Sequence, residues 1–163
     1  MHDSSSVTYP VFTAIAAPEV QNKLNGDFAI IAGPYLQNLA TGGCELDYTL
    51  TFVSEKFISM VFFGVLDEGE KEIFAKIPLN IDVQTGAQLA LGDVLNLRDA
   101  DLLPVLRLLT KKDMVDFSKG IPESWYYNGT NFVFCQRSET GEWLEATVAA
   151  SDLKKFLLKP ELF

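Results

Sequence analysis

The sequence predicts an α+β fold: an antiparallel meander sheet with packed helices, plus a smaller C-terminal lobe made of a β-hairpin and a helix. Three observations carry this. Ile73, Ala75, Ile77, Leu79, Ile81 and Val83 alternate along one face of a strand, as period-two burial demands. Val20, Leu24, Phe28, Ile31 and Tyr35 recur at steps of three and four, the stripe of a helix facing a core. Phe57 to Leu66 is apolar on both faces, which marks a central strand covered on both sides. With 163 residues and a hydrophobic fraction of 48%, the chain fits one domain with an ample core. We divide it into a polar tail at 1–6, a helix-plus-sheet lobe at 7–97 and a helix-plus-aromatic-hairpin lobe at 98–163.

In chain order, Val7 to Phe12 reads as a short strand, with Pro10 forcing Tyr9 into an extended conformation. Pro18 and Glu19 suit a helix start. Pro34 predicts a kink or an early end to that helix, because it lacks an N–H and crowds the preceding turn. Gly42-Gly43 closes the segment. Residues 44–91 then form three long strands and a short fourth, with Glu55-Lys56 at one hairpin tip and an acidic turn at Asp67–Glu72. Pro78 points to a sheet edge, Gln84-Thr85-Gly86 is a turn, and Leu89 and Leu91 resume the alternation. Asp99 or Asp101 caps a second helix, whose buried face is Leu102, Leu103, Val105, Leu106 and Leu109. Trp125–Tyr127, Asn128-Gly129 and Thr130–Gln136 read as a hairpin with a two-residue turn. A strand from Trp143 to Val148 follows. Ser151-Asp152 caps a last short helix with Leu153, Phe156 and Leu157 inward.

The chemistry expected from these residues is recognition. The sole histidine, His2, sits in the polar tail, where no base can be held in place for a nucleophilic triad. Two cysteines, Cys44 and Cys135, provide neither a disulfide framework nor a CxxC metal spacing, and both are expected as free thiols. Phosphate-binding and EF-hand patterns are absent, so neither a cofactor nor a metal is expected. The formal net charge of -9 disfavours nucleic acid and anionic membrane and favours a basic partner. No apolar run reaches the length of a membrane helix, and MHDSSSVTYP has neither the basic nor the apolar region of a signal peptide. Trp125 and Tyr127 share one strand face and are candidate ligand anchors, with core packing as the competing reading. Asp67, Glu68, Glu70 and Glu72 are candidate rim charges, against a plain solvated turn.

Three segments carry a family resemblance. They are Tyr9-Pro10-Val11-Phe12 with a following helix that contains Asn25; Phe57-Ile58-Ser59-Met60 with Leu79-Asn80-Ile81-Asp82-Val83-Gln84-Thr85-Gly86 and Leu89-Ala90-Leu91-Gly92-Asp93-Val94-Leu95; and the aromatic hairpin from Trp125 through Phe134 with Ser151-Asp152-Leu153. Together they resemble a bacterial extracytoplasmic domain of unknown function. It forms the outer domain of RsiV-type anti-sigma factors, which bind lysozyme, and a related domain precedes the catalytic domain of PdaC-type peptidoglycan deacetylases. The resemblance implies an extracytoplasmic, non-catalytic module for a basic protein such as lysozyme or for a cell-wall glycan. Any signal or anchor would lie outside these residues. A carboxylate-based hydrolase acting on a cell-wall glycan is the alternative.

Overall fold

The computed structural model describes residues 5–13, 17–40, 42–67 and 72–163. Two sheets organise them. The first has the order β1-β2-β3-β4-β5, with β1 Ser6–Val7, β2 Cys44–Val53, β3 Phe57–Asp67, β4 Glu72–Asp82 and β5 Ala87–Gln88. The second is a three-stranded antiparallel sheet of β6 Ser124–Tyr127, β7 Asn131–Arg137 and β8 Trp143–Ala149. The doubly apolar β3 is central, pairing antiparallel with β2 and β4 along nearly its full length. The opening strand is shorter than expected. Only Ser6 and Val7 pair, and they run parallel to β2. The chain then turns away so that Phe12 can exchange two backbone hydrogen bonds with the Asn25 side chain, at 2.8 and 3.0 Å, and bring its ring 5.5 Å from Phe28.

Helix α1, Pro18–Asn38, covers one face of the first sheet. Leu24, Phe28, Ala32 and Tyr35 are buried, with Val20 and Ile31 half-buried beside them. The helix does not end at Pro34 but continues for another turn. The carbonyl left without its donor is that of Ile30, a strongly exposed residue, so water can satisfy it. Tyr35 lies directly over Gly64 of β3, where an added Cβ would come within 2.0 Å of its hydroxyl oxygen. This close approach is why glycine stands in the middle of a central strand.

β2 changes sides part-way. Leu46 and Tyr48 face α1, but a bulge at Thr51 shifts the register so that Phe52 pairs with Ser59. Phe52 thereby joins the opposite face and packs on Phe57 and Tyr127. That face carries the second core, with Trp125, Phe132, Phe134, Leu153 and Phe156. Short helices α2 Leu91–Val94 and α3 Leu102–Leu109 and three 3-10 turns at Phe117–Lys119, Ala150–Phe156 and Pro160–Leu162 close it.

Several local expectations are corrected. Leu91 begins α2 instead of continuing a strand, and β5 stops at Gln88 because Asp93 Oδ2 accepts the Ala90 N–H at 2.8 Å. Of the two cap candidates, Asp101 occupies the N-cap of α3 but its side chain reaches Lys155, whereas the Asp99 side chain accepts the Asp101 N–H at 2.9 Å just ahead of the helix. Leu109 is exposed although it shares the stripe of Leu102 and Leu106, because it stands at the last residue of α3. Ala149, and neither Ser151 nor Asp152, precedes the last turn, whose 3-10 geometry brings Leu153 and Phe156 to one side. The aromatic hairpin is shifted by one residue: Asn128 N–H donates to Asn131 O, and Gly129-Thr130 forms the turn, with Gly129 at φ 91°. The Asn128 side chain holds it by accepting from the N–H groups of Thr130 and Asn131. Cys44 and Cys135 are both buried, free thiols.

Candidate functional site

The two sheets meet along a polar seam. β6 is an edge strand of the second sheet, and its outer backbone groups would be orphans at the junction. Side chains of the first sheet satisfy them. Ser59 and Asn80, cross-strand partners on β3 and β4, are both buried, and Ser59 Oγ donates to Asn80 Oδ1 at 2.7 Å. Asn80 Nδ2 donates to Trp125 O at 2.7 Å, Tyr127 N–H donates to Ser59 Oγ at 2.8 Å, and Thr51 Oγ1 donates to Tyr127 O at 2.7 Å. Asn80, on the strand face opposite Leu79 and Ile81, therefore points away from α1 and into this seam. It reads as a device that fixes the lobes together, since each buried polar atom finds a partner.

Docking of β6 decides the fate of the aromatic triplet. Trp125 and Tyr127 turn to the second core, at 2% and 4% exposure, packed among Phe57, Phe132 and Phe163. Neither ring presents a face to a macromolecular partner, so their assignment as surface anchors is corrected: alternation fixes that they share a side, and the seam makes it the inner one. Tyr126 faces the other way. Its hydroxyl donates to Glu145 Oε1 at 3.0 Å, and its pKa is held far above the ordinary tyrosine value by burial first and then by that carboxylate. Glu145 is also ion-paired with Lys76, whose ammonium lies 5.6 Å from the ring centres of both Phe63 and Tyr126. Beneath this group the Cys135 thiol is pushed up to about 12, chiefly by burial and against the pull of Lys76.

Beyond the seam, the second face of the first sheet is uncovered. A cleft of about 470 Å³ opens there, lined by Ser6 and Thr8 of the first segment, Glu45 and Asp47 of β2, Phe63 and Val65 of β3, Phe74 and Lys76 of β4, and Trp143 of β8. Phe63 and Phe74 are 44% and 52% exposed, an unusual state for adjacent aromatics on a sheet. A smaller recess of about 110 Å³ continues it past Glu45, Val65 and Phe74 to Asp67 and Glu72, which pair across β3 and β4. The stems of the acidic turn thus stand at one end of the cleft. Glu68 and Glu70 lie outside the described residues. Four carboxylates and one lysine line the combined surface, and the lysine is engaged by Glu145.

With this geometry in view, known proteins offer a likeness of architecture. The structure superposes on the crystal structure of a DUF3298 family protein from Pseudomonas aeruginosa PAO1 with a TM-score of 0.61 and 15% identity, covering 90% of this chain and 83% of that one. A DUF3298 family member from Bacteroides fragilis NCTC 9343 gives a TM-score of 0.55 and 13% identity over 85% of this chain; the alignment spans 65% of that protein's length. The fold is shared with DUF3298 proteins, a family of unknown function. No family model matches the sequence, and neither does any curated protein. At these identities the likeness to DUF3298 structures concerns the fold alone.

Sequence reasoning missed Phe63, Phe74, Trp143, Glu45 and Asp47 as cleft residues. One signal was available: Phe74 is a large apolar residue on the outward parity of β4, opposite the face of Ile73, Ala75 and Ile77. Among the described residues no cluster of His, Cys, Asp or Glu is arranged to hold a metal, and no helix is long and apolar enough to cross a membrane.

Proposed function

We propose that this chain is a non-catalytic recognition module that holds a basic protein in the cleft between Phe74 and Trp143. The observation that carries the reading is the juxtaposition of exposed aromatic rings and acidic side chains on one concave surface. Phe63, Phe74 and Trp143 supply the desolvated contact that lasting affinity requires, while Glu45, Asp47, Asp67 and Glu72 steer a cation toward it. The net charge of -9 extends that field over the whole molecule. The resemblance to RsiV-type and PdaC-type domains supports an extracytoplasmic setting and makes a lysozyme-like protein the first partner.

The test is a titration with lysozyme at low ionic strength, for the natural chain and for Phe74→Ser. Binding with a Kd below about 100 μM, equivalent to about -5.5 kcal/mol, is expected for the former and at least tenfold weakening for the latter. Absence of binding up to that concentration removes lysozyme as partner. Parallel incubation with peptidoglycan fragments separates the remaining readings: retention without cleavage gives a glycan binder, and release of reducing ends gives a carboxylate hydrolase.

A further inference from the structure

A second concavity lies on the opposite side of the seam and has the reverse chemistry. It measures about 440 Å³ and is formed where the hairpin turn at Gly129-Thr130 faces the last two 3-10 turns. Its apolar part comes from Ala150, Leu157, Pro160 and Phe163, and its polar part from Tyr127, Thr130, Ser151 and Lys154. No acidic residue lines it, in a chain that carries 22 of them against 13 lysines and arginines. Lys154 forms no ion pair among the described residues. The neighbouring lysines are otherwise engaged, Lys155 with Asp101 at 3.0 Å and Lys159 with Asp82 at 3.8 Å.

Tyr127 contributes a hydroxyl to this concavity. Its ring is almost wholly enclosed by Phe52, Phe57, Phe132 and Phe163, yet its hydroxyl makes no hydrogen bond with any described residue. That hydroxyl is not sealed off, for Trp143 Nε1 is the only fully enclosed side-chain nitrogen or oxygen without a partner among the described residues. The hydroxyl of Tyr127 is therefore reached from the concavity that its residue lines. Burial raises its pKa, so it remains an O–H donor at neutral pH. The side-chain hydroxyls of Thr130 and Ser151 are likewise unengaged within the described residues.

We infer that this concavity is a binding site for a small amphipathic carboxylic acid, its apolar body laid on Leu157, Pro160 and Phe163 and its carboxylate received by Lys154 and the hydroxyls of Tyr127, Thr130 and Ser151. The volume falls in the range of small-molecule sites, and the arrangement of an apolar lining with a few convergent polar groups is the usual one. Four donor-bearing side chains and no acidic side chain in the lining favour a head group that accepts hydrogen bonds and carries negative charge. The site is separate from the acidic cleft, so its test stands apart from the protein-binding proposal.

The experiment is an amide chemical-shift titration of the whole chain with octanoate and, as its uncharged counterpart, octanamide. Octanoate is expected to produce saturable shifts at Gly129, Thr130, Ser151 and Lys154, with octanamide about tenfold weaker, the worth of one charge-assisted hydrogen bond. Two variants assign the contacts. Lys154→Met alters an exposed side chain, and Tyr127→Phe keeps the enclosed ring and removes only the hydroxyl; each is expected to weaken octanoate severalfold while leaving Tm within a few degrees. The proposal is overturned if no saturable shift appears at those amides up to about 10 mM octanoate, if octanamide binds as well as octanoate, or if both variants bind octanoate like the natural chain.

Discussion

Replacing Asn80 tests how the two lobes are held together. In Asn80→Ala the Trp125 carbonyl loses its donor and Ser59 loses its acceptor, both at buried residues. One net hydrogen bond is worth about 1 kcal/mol, and an orphaned buried carbonyl costs about 2 kcal/mol more, so destabilisation of about 3 kcal/mol is expected. For a chain of this length that lowers Tm by about 6–12 °C. Asn80→Asp refines the experiment, because it keeps the shape and reverses the polarity. The introduced carboxyl would face the Trp125 carbonyl at a buried position, and its pKa would rise above the usual value of about 3.9. A raised folded-state pKa means the stability difference is smallest in acid and grows as pH rises through that pKa. Thermal unfolding followed by circular dichroism between about pH 4 and 7 measures both effects, with exposed Asn22→Ala on α1 as a control expected within about 0.5 kcal/mol of the natural chain. A Tm loss under about 2 °C for Asn80→Ala, or an Asn80→Asp penalty independent of pH, would show that the seam does not depend on this side chain.

Three further outcomes follow from the same structure. Gly64→Ala is expected to lose about 1–3 kcal/mol, the usual range for overpacking, because the new methyl displaces the Tyr35 ring; restoration of stability in Gly64→Ala combined with Tyr35→Leu would confirm that contact. Cys135 and Tyr126 are both held neutral by the fold, so their contribution to stability is complete below the ordinary thiol value near 9.0 and is lost as pH rises toward 12; denaturant unfolding should show the decline, and Cys135→Ala should blunt it. Native protein at pH 8 should resist thiol alkylation at both cysteines, whereas unfolded protein should take up two groups by mass spectrometry without reductant; a single group, or none, would contradict the free thiols.

The sequence made the first lobe legible because its signals are periodic. The stripe of α1 and the two apolar faces of β3 depend on spacing, and both appear where spacing puts them. What escaped were features set by contact between distant segments. Ser59 interrupts an apolar strand and Asn80 sits on an outward parity, but their meaning depends on β6, which lies some 45 residues further along the chain. The bulge at Thr51, which sends Phe52 to the second core, has no glycine or proline to mark it. Alternation located Trp125 and Tyr127 on one side of β6 and could not tell inside from outside. The double apolarity of β3 suggested cover on both faces, yet the cover stops after Val61 and leaves Phe63 and Phe74 open. Pro34 misled because a missing helical bond costs little where the freed carbonyl meets water.

The cleft is the centre of the functional account, and a binding footprint addresses it most directly. Isotope-labelled chain titrated with unlabelled lysozyme at low salt should lose or shift the amide signals of Glu45, Asp47, Phe63, Phe74 and Lys76, with the effect fading as ionic strength rises. The amides of Gly129, Ser151 and Lys154, on the other side of the seam, should stay in place. A footprint centred on that second group, or one spread evenly over the acidic surface, would contradict recognition in the cleft.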